Sequence, residues 1–372
     1  MSNPSKPDPL QALRERIDQL DEQIQNLITE RARCVLEVAH VKQQNKADLT
    51  TDDKMLYYRP EREAQILHRV QQRNQGPLHS ATMAQLFREI ISACMALEQV
   101  MTVAYLGPEG TFTHSATRKH FGQAVRTRSL PAIDDVFREV EADSADFGVV
   151  PIENSTEGIV NQTLDCFIQS TLKICGEVYL PVHHQLLSKA AGLQQIERIY
   201  AHQQALAQCR EWLDANLGQI ERIAVASNGE AARLARKDSS CAAIASDTAA
   251  TIYELSVLAR NIEDDPQNTT RFLVIGKQTI KPSGRDKTSL LISAPNRPGL
   301  LHQLLEPITQ QGLNMTRIES RPSRRGVWDY VFFIDLEGHQ DDPAVAKALR
   351  ELRQRADLCT VLGSYPIDSI RL

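Results

Sequence analysis

Apolar residues at Leu10, Leu13, Ile17, Leu20, Ile24 and Leu27, then Cys34, Val38 and Val41, advance in steps of three and four over about 30 residues. A run of that length and period is one long helix with a coiled-coil-like seam. Such a helix has little of its own to pack on, so its stripe points to an interlocked dimer of helical chains. Position 31 continues the seam and holds Arg31. A charge there is either a register-setting residue or part of a ligand site inside a bundle.

Two further helices fit Glu61 to Gln72 and Ser80 to Val100, separated by the breaker Asn74-Gln75-Gly76-Pro77. Residues 1–100 therefore read as all-helical. At Met101 the texture changes to short strands alternating with helices. Strands are expected at Thr102–Leu106, Phe147–Pro151, Glu197–Tyr200, Arg222–Ala226, Cys241–Ala245 and Thr270–Ile275, with helices such as Ile133–Glu141, Ile159–Gln169 and Ala205–Ala215 between them. An α/β domain spans 101–280. A polar linker, Lys281-Pro282-Ser283-Gly284, precedes a βαββαβ order over 285–365, which is a ferredoxin-like α+β module. A length of 372 residues accommodates three such domains.

A net charge of −5 leaves no polybasic footprint for nucleic acid or anionic lipid, so an anionic ligand must be met by local cations. Seven cysteines without C-x-x-C spacing or clustered histidines read as buried free thiols in a reducing compartment. Met1 to Pro9 is polar without an apolar core, and no later stretch approaches the roughly 18 apolar residues of a spanning helix. The expectation is a cytoplasmic protein with small-molecule partners and no membrane or nucleic-acid partner. Gly107-x-x-Gly110 lacks the dinucleotide spacing and there is no Walker lysine, so no cofactor is expected, and no metal.

In the helical part, Arg31 and Lys42 are 11 residues apart, within about 20° of three full turns and roughly 16 Å along the axis. They share a face and can close on a small anion. Arg14 lies about 25 Å from Arg31 and about 100° around the helix, so it can serve that site only from a second chain. Leu13-Arg14, Glu30-Arg31, Val41-Lys42, Pro60-Glu61-Arg62-Glu63 and Cys94-Met95-Ala96-Leu97-Glu98 together resemble the all-helical chorismate mutase family. The resemblance implies that Arg14, Arg31, Lys42, Arg62, Glu63, Cys94 and Glu98 fall on site positions, with Lys42 and Glu98 at the ether oxygen of chorismate. Arg59 stands where relatives are often acidic, on the hydroxyl-binding side. The rearrangement needs no nucleophile, only compression into the reactive chair and stabilisation of charge on the ether oxygen. Where many members have glutamine, Glu98 must be protonated to donate. Mutase activity is therefore expected to fall as pH rises, with Glu98→Gln flattening the profile; a flat wild-type profile contradicts this.

In the α/β part, polar clusters sit where strands end: Gly107 to Ser115, Pro151 to Gly158, Ala201 to Gln204 and Ser227 to Glu230. Ligands of open α/β sheets bind there, and helix N-termini offer N–H groups to carboxylates. Pro151-Ile152-Glu153-Asn154 and Thr270-Arg271-Phe272 resemble prephenate dehydratase over about Val103 to Lys277. The resemblance implies a two-lobed fold like periplasmic-type binding proteins, with Thr270 helping the hydroxyl leave and Arg271 holding a carboxylate. Thr111, His114, Ser115, Glu153, Asn154, Ser155 and Gln208 are further cleft candidates. Ser155 and Ser227 also suit ordinary helix caps. His114, His183, His184 and His202 do not make a metal site by spacing, and most of them read as structural or exposed.

Asn296-Arg297-Pro298-Gly299-Leu300 and Glu319-Ser320-Arg321-Pro322, set in the βαββαβ order, resemble an ACT domain of the dehydratase type. The implied effector is phenylalanine, with Asn296, Pro298, Gly299, Leu300, Glu319, Ser320, Arg321 and Pro322 regulatory. The domain order resembles the bifunctional chorismate mutase/prephenate dehydratase family of phenylalanine synthesis, an isomerase and a lyase in one homodimeric chain. Two alternatives stay open: a dehydratase whose helical part only dimerises, and a non-catalytic amino-acid-responsive regulator.

Overall fold

The computed structural model describes residues 9–44, 58–294, 297–322 and 330–368, apart from the side chains of 42–44 and 294. The seam forms a single helix, α1 (Pro9–Gln44), followed by α2 (Pro60–Arg73) and α3 (Ser80–Ala96). Pro60 opens α2, where its missing N–H is one that the first turn leaves unpaired anyway. Helices α2 and α3 bury Leu67, Ala84 and Ile91 between them, and α1 packs on α3. Leu10, Leu13, Ile17, Leu20, Ile24 and Leu27 are left 48 to 64 % exposed.

The α/β domain then runs β1 (Thr102–Leu106), α4 (Phe112–Phe121), β2 (Arg126–Leu130), α5 (Ile133–Glu141), β3 (Phe147–Asn154), β4 (Gly158–Ile159), α6 (Asn161–Gln169) and β5 (Lys173–Pro181). A second stretch adds β6 (Gln185–Ser188), β7 (Arg198–His202), α7 (Gln203–Gln208), α8 (Arg210–Leu217), β8 (Glu221–Val225), α9 (Asn228–Ala235), β9 (Cys241–Ala245), α10 (Asp247–Tyr253) and β10 (Ser256–Ala259). The chain returns with β11 (Thr269–Gly276). Two sheets result, ordered β2-β1-β3-β11-β5 with β4 on β3, and β10-β6-β9-β7-β8. Because β11 pairs antiparallel with β3 and β5, the chain crosses between lobes twice, after Pro181 and before Thr269. Each lobe has its own core, one around Val136, Phe167 and Ile275, the other around Ile199, Leu213 and Ile244.

The last module is β12 (Asp286–Ala294), α11 (Leu300–Gln310), β13 (Met315–Pro322), β14 (Tyr330–Glu337), α12 (Pro343–Arg355) and β15 (Leu358–Pro366), with sheet order β13-β14-β12-β15. Its helices cover one sheet face. The other face sends Leu291, Val331, Phe333, Leu362 and Tyr365 into the core of the first lobe.

The expected elements are present with shifted ends, except that the helix expected over Ala205–Ala215 is divided at Cys209 into α7 and α8, and β2, β4, β5, β6 and β10 lie outside the expected set. Residues 126–130 and 256–259 lack a buried alternating run, since both strands are edges with a largely exposed face. The thiol expectation holds for Cys94, Cys175, Cys209 and Cys241, whereas Cys34 is exposed on α1.

Candidate active site

On α1, Arg31 is half-buried and its Nη1 is enclosed without a hydrogen-bond partner among the described residues. Lys42 lies one face-repeat further along the helix, its side chain outside the described residues. Cys94 is buried on α3, the helix that α1 packs on, and Glu98 follows one turn later with Oε2 enclosed. Arg14, Arg59 and Arg62 are exposed, Arg59 as the residue that caps α2.

Glu63 falls on the buried stripe of α2 with Leu67 and Val70, whereas its neighbour Arg62 is exposed. Its Oε1 accepts from Arg88 Nε at 3.1 Å, and Arg88 Nη1 donates to the Lys119 carbonyl of α4 at 2.8 Å. Burial raises the Glu63 carboxyl above its usual range and Arg88 opposes the rise. Glu63 thus ties α2 to the α/β domain.

Between the two lobes lies a cavity of about 340 Å³. Leu106, Thr111, Phe112, Asn154, Thr270 and Phe272 form its first wall, and Val182, His184, His202, Gln204, Gln208, Ser227 and Asn228 its second. Among the described residues no Asp, Glu, Lys or Arg lines it. Charge on a ligand must instead meet helix N-termini, which leave backbone N–H groups unpaired. Helix α4 begins there, capped by Thr111, and α9 begins opposite, capped by Ser227 through a 3.1 Å bond from the Glu230 N–H.

Asn154 and Thr270 are paired residues on adjacent central strands. Asn154 Oδ1 accepts from the N–H groups of Thr156 and Glu157, both at 3.0 Å, so its amide can point only one way. Nδ2 then donates to Asn268 Oδ1 at 2.7 Å and Thr270 Oγ1 at 2.8 Å. With Thr270 Oγ1 accepting that bond, its own proton is left to donate.

Gln208 holds His184 across the second wall, 2.9 Å from Nε2, and Gln208 Nε2 donates to Glu157 at 3.4 Å. Since Gln208 Oε1 can only accept, His184 carries its proton on Nε2. Burial pushes the imidazole below its ordinary range, so it is neutral. His184 and His202 both line the cavity, His202 as part of the strand-end cluster Ala201 to Gln204 and His184 beside the lobe crossing, where local sequence pattern gives no signal.

Several expected cleft residues lie elsewhere. His114 is stacked on Tyr105 at 4.8 Å in the first lobe, with burial lowering it to about 4. Ser115 Oγ bonds Thr248 of the second lobe at 2.8 Å and acts as an inter-lobe clasp. Strand alternation explains the rest: with Asn154 and Thr270 on the cleft side, Glu153, Ser155 and Arg271 face the other side, toward the C-terminal module. They line a separate cavity of about 610 Å³, where Glu153 meets Arg317 at 3.3 Å. Arg271 spends its guanidinium on Glu177, Asp335 and Tyr365, so holding a substrate carboxylate in the cleft is excluded by its direction and partners.

In the C-terminal module, Gly299 precedes α11 with φ +79°, a conformation that favours glycine, after exposed Pro298. Leu300 is buried in the module's core. Ser320 and Pro322 are exposed and Glu319 is half-buried on β13, while Arg321 Nη2 reaches Asp165 of α6 at 2.6 Å. Asn296 lies outside the described residues. Among the described residues no helix is long and apolar enough to cross a membrane, and no group of three His, Cys, Asp or Glu could hold a metal ion.

Fold and cavity together define a multidomain enzyme acting on small carboxylates. Family models match chorismate mutase type II over residues 13–99, prephenate dehydratase over 103–280 and the ACT domain over 288–354. A bifunctional chorismate mutase/prephenate dehydratase of Pseudomonas aeruginosa is 53% identical over 360 residues, 96% of this chain and 98% of that protein. A prephenate dehydratase from Arthrobacter aurescens, solved in complex with L-Phe, is 35% identical with a TM-score of 0.66, covering 71% of this chain and 89% of its own. The quorum-quenching acylase GqqA matches with a TM-score of 0.67 and 30% identity over 73% of this chain and all of its own. The chain belongs to the bifunctional chorismate mutase/prephenate dehydratase family.

Proposed function

We propose that the two enzyme domains act in sequence, with Thr270 as the group that assists the second reaction. The helical domain converts chorismate to prephenate. The lobed domain converts prephenate to phenylpyruvate. In the first site Arg31, Lys42 and Arg14 of a second copy bind the carboxylates, and Glu98 serves the ether oxygen. The exposed seam of α1 supports a homodimer, because apolar residues at this spacing are stable only when covered.

In the cleft, the bond from the ring to its carboxylate breaks, and the electron pair moves through the ring to expel the hydroxyl at the opposite carbon. Carbon dioxide leaves and the ring becomes aromatic. Expelled hydroxide needs a hydrogen-bond donor or a proton, and Thr270 Oγ is oriented by Asn154 to donate. Phe112, Phe272, Leu106 and Val182 make part of the cavity apolar, which disfavours the carboxylate that is lost more than the neutral product. The observation that carries this reading is the fixed Asn154 amide. Acyl transfer would instead need a base accepting the Thr270 proton, and Asn154 Nδ2 is a donor.

Phenylalanine, the transamination product of phenylpyruvate, is the effector at the ACT domain, acting by population shift. The enzyme is cytoplasmic, consistent with seven free cysteines and a biosynthetic role. The test supplies purified full-length protein first with chorismate, then with prephenate, and follows phenylpyruvate with and without phenylalanine. Phenylpyruvate from both substrates, suppressed by phenylalanine, is expected. Conversion of chorismate but not prephenate overturns the dehydratase reading.

A further inference from the structure

Arg271 follows Thr270 on β11 and points to the other side of the sheet, where it meets the ACT domain. Its Nε donates to Glu177 of β5 at 2.9 Å, Nη1 to Asp335 of β14 at 2.6 Å and Nη2 to Tyr365 Oη of β15 at 3.0 Å. Ser289 Oγ lies 2.5 Å from Asp335 Oδ1 and 2.7 Å from Tyr365 Oη. A carboxylate only accepts, so the Ser289 proton goes to Asp335 and the Tyr365 proton to Ser289. Tyr365 accepts in turn from Arg271. The four side chains close a hydrogen-bonded ring with one arrangement of protons. Lys287 of β12 completes the cluster, donating to both Glu177 oxygens at 2.9 and 2.7 Å.

The four charged side chains are at most 7 % exposed. Each domain supplies one cation and one anion, Arg271 with Glu177 and Lys287 with Asp335, and besides the Arg271–Glu177 pair two ion pairs, Arg271–Asp335 and Lys287–Glu177, cross the boundary. Faces that are each neutral can re-pair without burying net charge, whereas removing one member leaves an uncompensated ion. On its β5 side β11 is paired without a break from Thr269 to Val274, but on its β3 side the register shifts beside Arg271. Opposite the junction of Arg271 and Phe272, β3 carries one extra residue, Ile152, and pairing is irregular there. Such irregularities re-aim side chains beside active sites.

We propose that the ACT domain positions Thr270 from behind: Asp335, acting through Arg271 and supported by Tyr365 and Ser289, holds the start of β11 in the direction that lets Thr270 donate to the leaving hydroxyl. Re-pairing of this cluster carries the state of the ACT domain to the cleft. Asp335, 65 positions from Thr270 in sequence, is a positioning residue for the dehydratase and touches no substrate. The inference rests on the role proposed above for Thr270.

The test uses full-length Asp335→Asn and Tyr365→Phe, measuring dehydratase kcat, prephenate KM and mutase rate in the same preparations. Misplacement of a reacting group by about 1 Å costs up to about 100-fold, so Asp335→Asn is expected to lose about 10-fold or more in dehydratase kcat. Prephenate KM should stay within about two-fold and mutase rate should be unchanged, since substrate-binding groups and the helical domain are untouched. Tyr365→Phe removes the two hydrogen bonds of its hydroxyl, to Arg271 and Ser289, while nearly keeping its volume and should lose about three-fold in kcat with the same KM. Wild-type kcat in folded Asp335→Asn, or a raised KM at unchanged kcat, overturns the inference. If Asp335→Asn does not fold, Tyr365→Phe decides by the same criteria. A wild-type enzyme that leaves prephenate unconsumed would instead remove the proposed dehydratase function.

Discussion

The helical domain and the lobed domain bind related carboxylates with opposite designs. The proposed helical site gathers cations, Arg31 and Lys42 on one helix face, but within one chain Arg14 is far from them and the seam is bare. The cleft has no charged lining residue among the described residues, and both its walls come from a single chain. The contrast teaches where each site obtains its precision. In the proposed homodimer a 36-residue helix with its seam exposed takes its rigidity from the second copy. Two sheets joined by two crossings hold helix N-termini and an oriented amide by themselves.

The largest effect expected to test this contrast is Thr270→Ala, which should lower dehydratase kcat by about 100-fold to 10,000-fold while mutase rate is unchanged. Loss of both activities together would show that the sites are not independent. Mixing chains comes next. Arg14→Ala and Arg31→Ala are each expected to abolish mutase activity. After joint refolding, half of the dimers should be mixed with one intact site of two, restoring about a quarter of wild-type mutase activity. Failure to complement would place Arg14 and Arg31 in one chain's site and break the comparison.

The smallest effect concerns the seam between the two regions, where Tyr58 Oη lies 3.0 Å from His120 of α4. Burial raises the Tyr58 hydroxyl well above its ordinary value, so Tyr58 donates and His120 accepts. Burial pushes His120 down to about 3, far below the ordinary imidazole value. Below about pH 6.5 the unfolded chain takes up a proton that the folded chain refuses. Stability is therefore full above that pH and declines toward pH 3, by up to about 1.4 kcal/mol per pH unit for this group. His120→Gln keeps an acceptor for Tyr58 and removes the titration. Its denaturation midpoint should shift less between pH 7 and pH 5 than that of wild type. An equal shift would mean that His120 is not the group being protonated.

Much of the helical domain was legible because its signal is local: the period of α1 alone places Arg31 and Lys42 on one face and excludes Arg14 from it. In the lobed domain, residues that end strands marked the cleft rim, but a strand alternates. Neighbours in the motifs Glu153-Asn154-Ser155 and Thr270-Arg271 were expected together and fold onto opposite sides of one sheet. His184 escaped notice because it sits in a lobe crossing, with no motif of its own.

By itself the sequence determined the three domains, the helical seam and the residue types at each strand end, because these depend on periodicities of 3.6 and 2 and on turn chemistry within a few residues. Only the tertiary structure decided which side of the central sheet is the cleft, that Asn154 orients Thr270, and that Arg271 joins Asp335 across a domain boundary. Those outcomes depend on pairings between residues 64 to 116 positions apart. Nothing in a short window of sequence encodes which of two sheet faces the rest of the chain will cover.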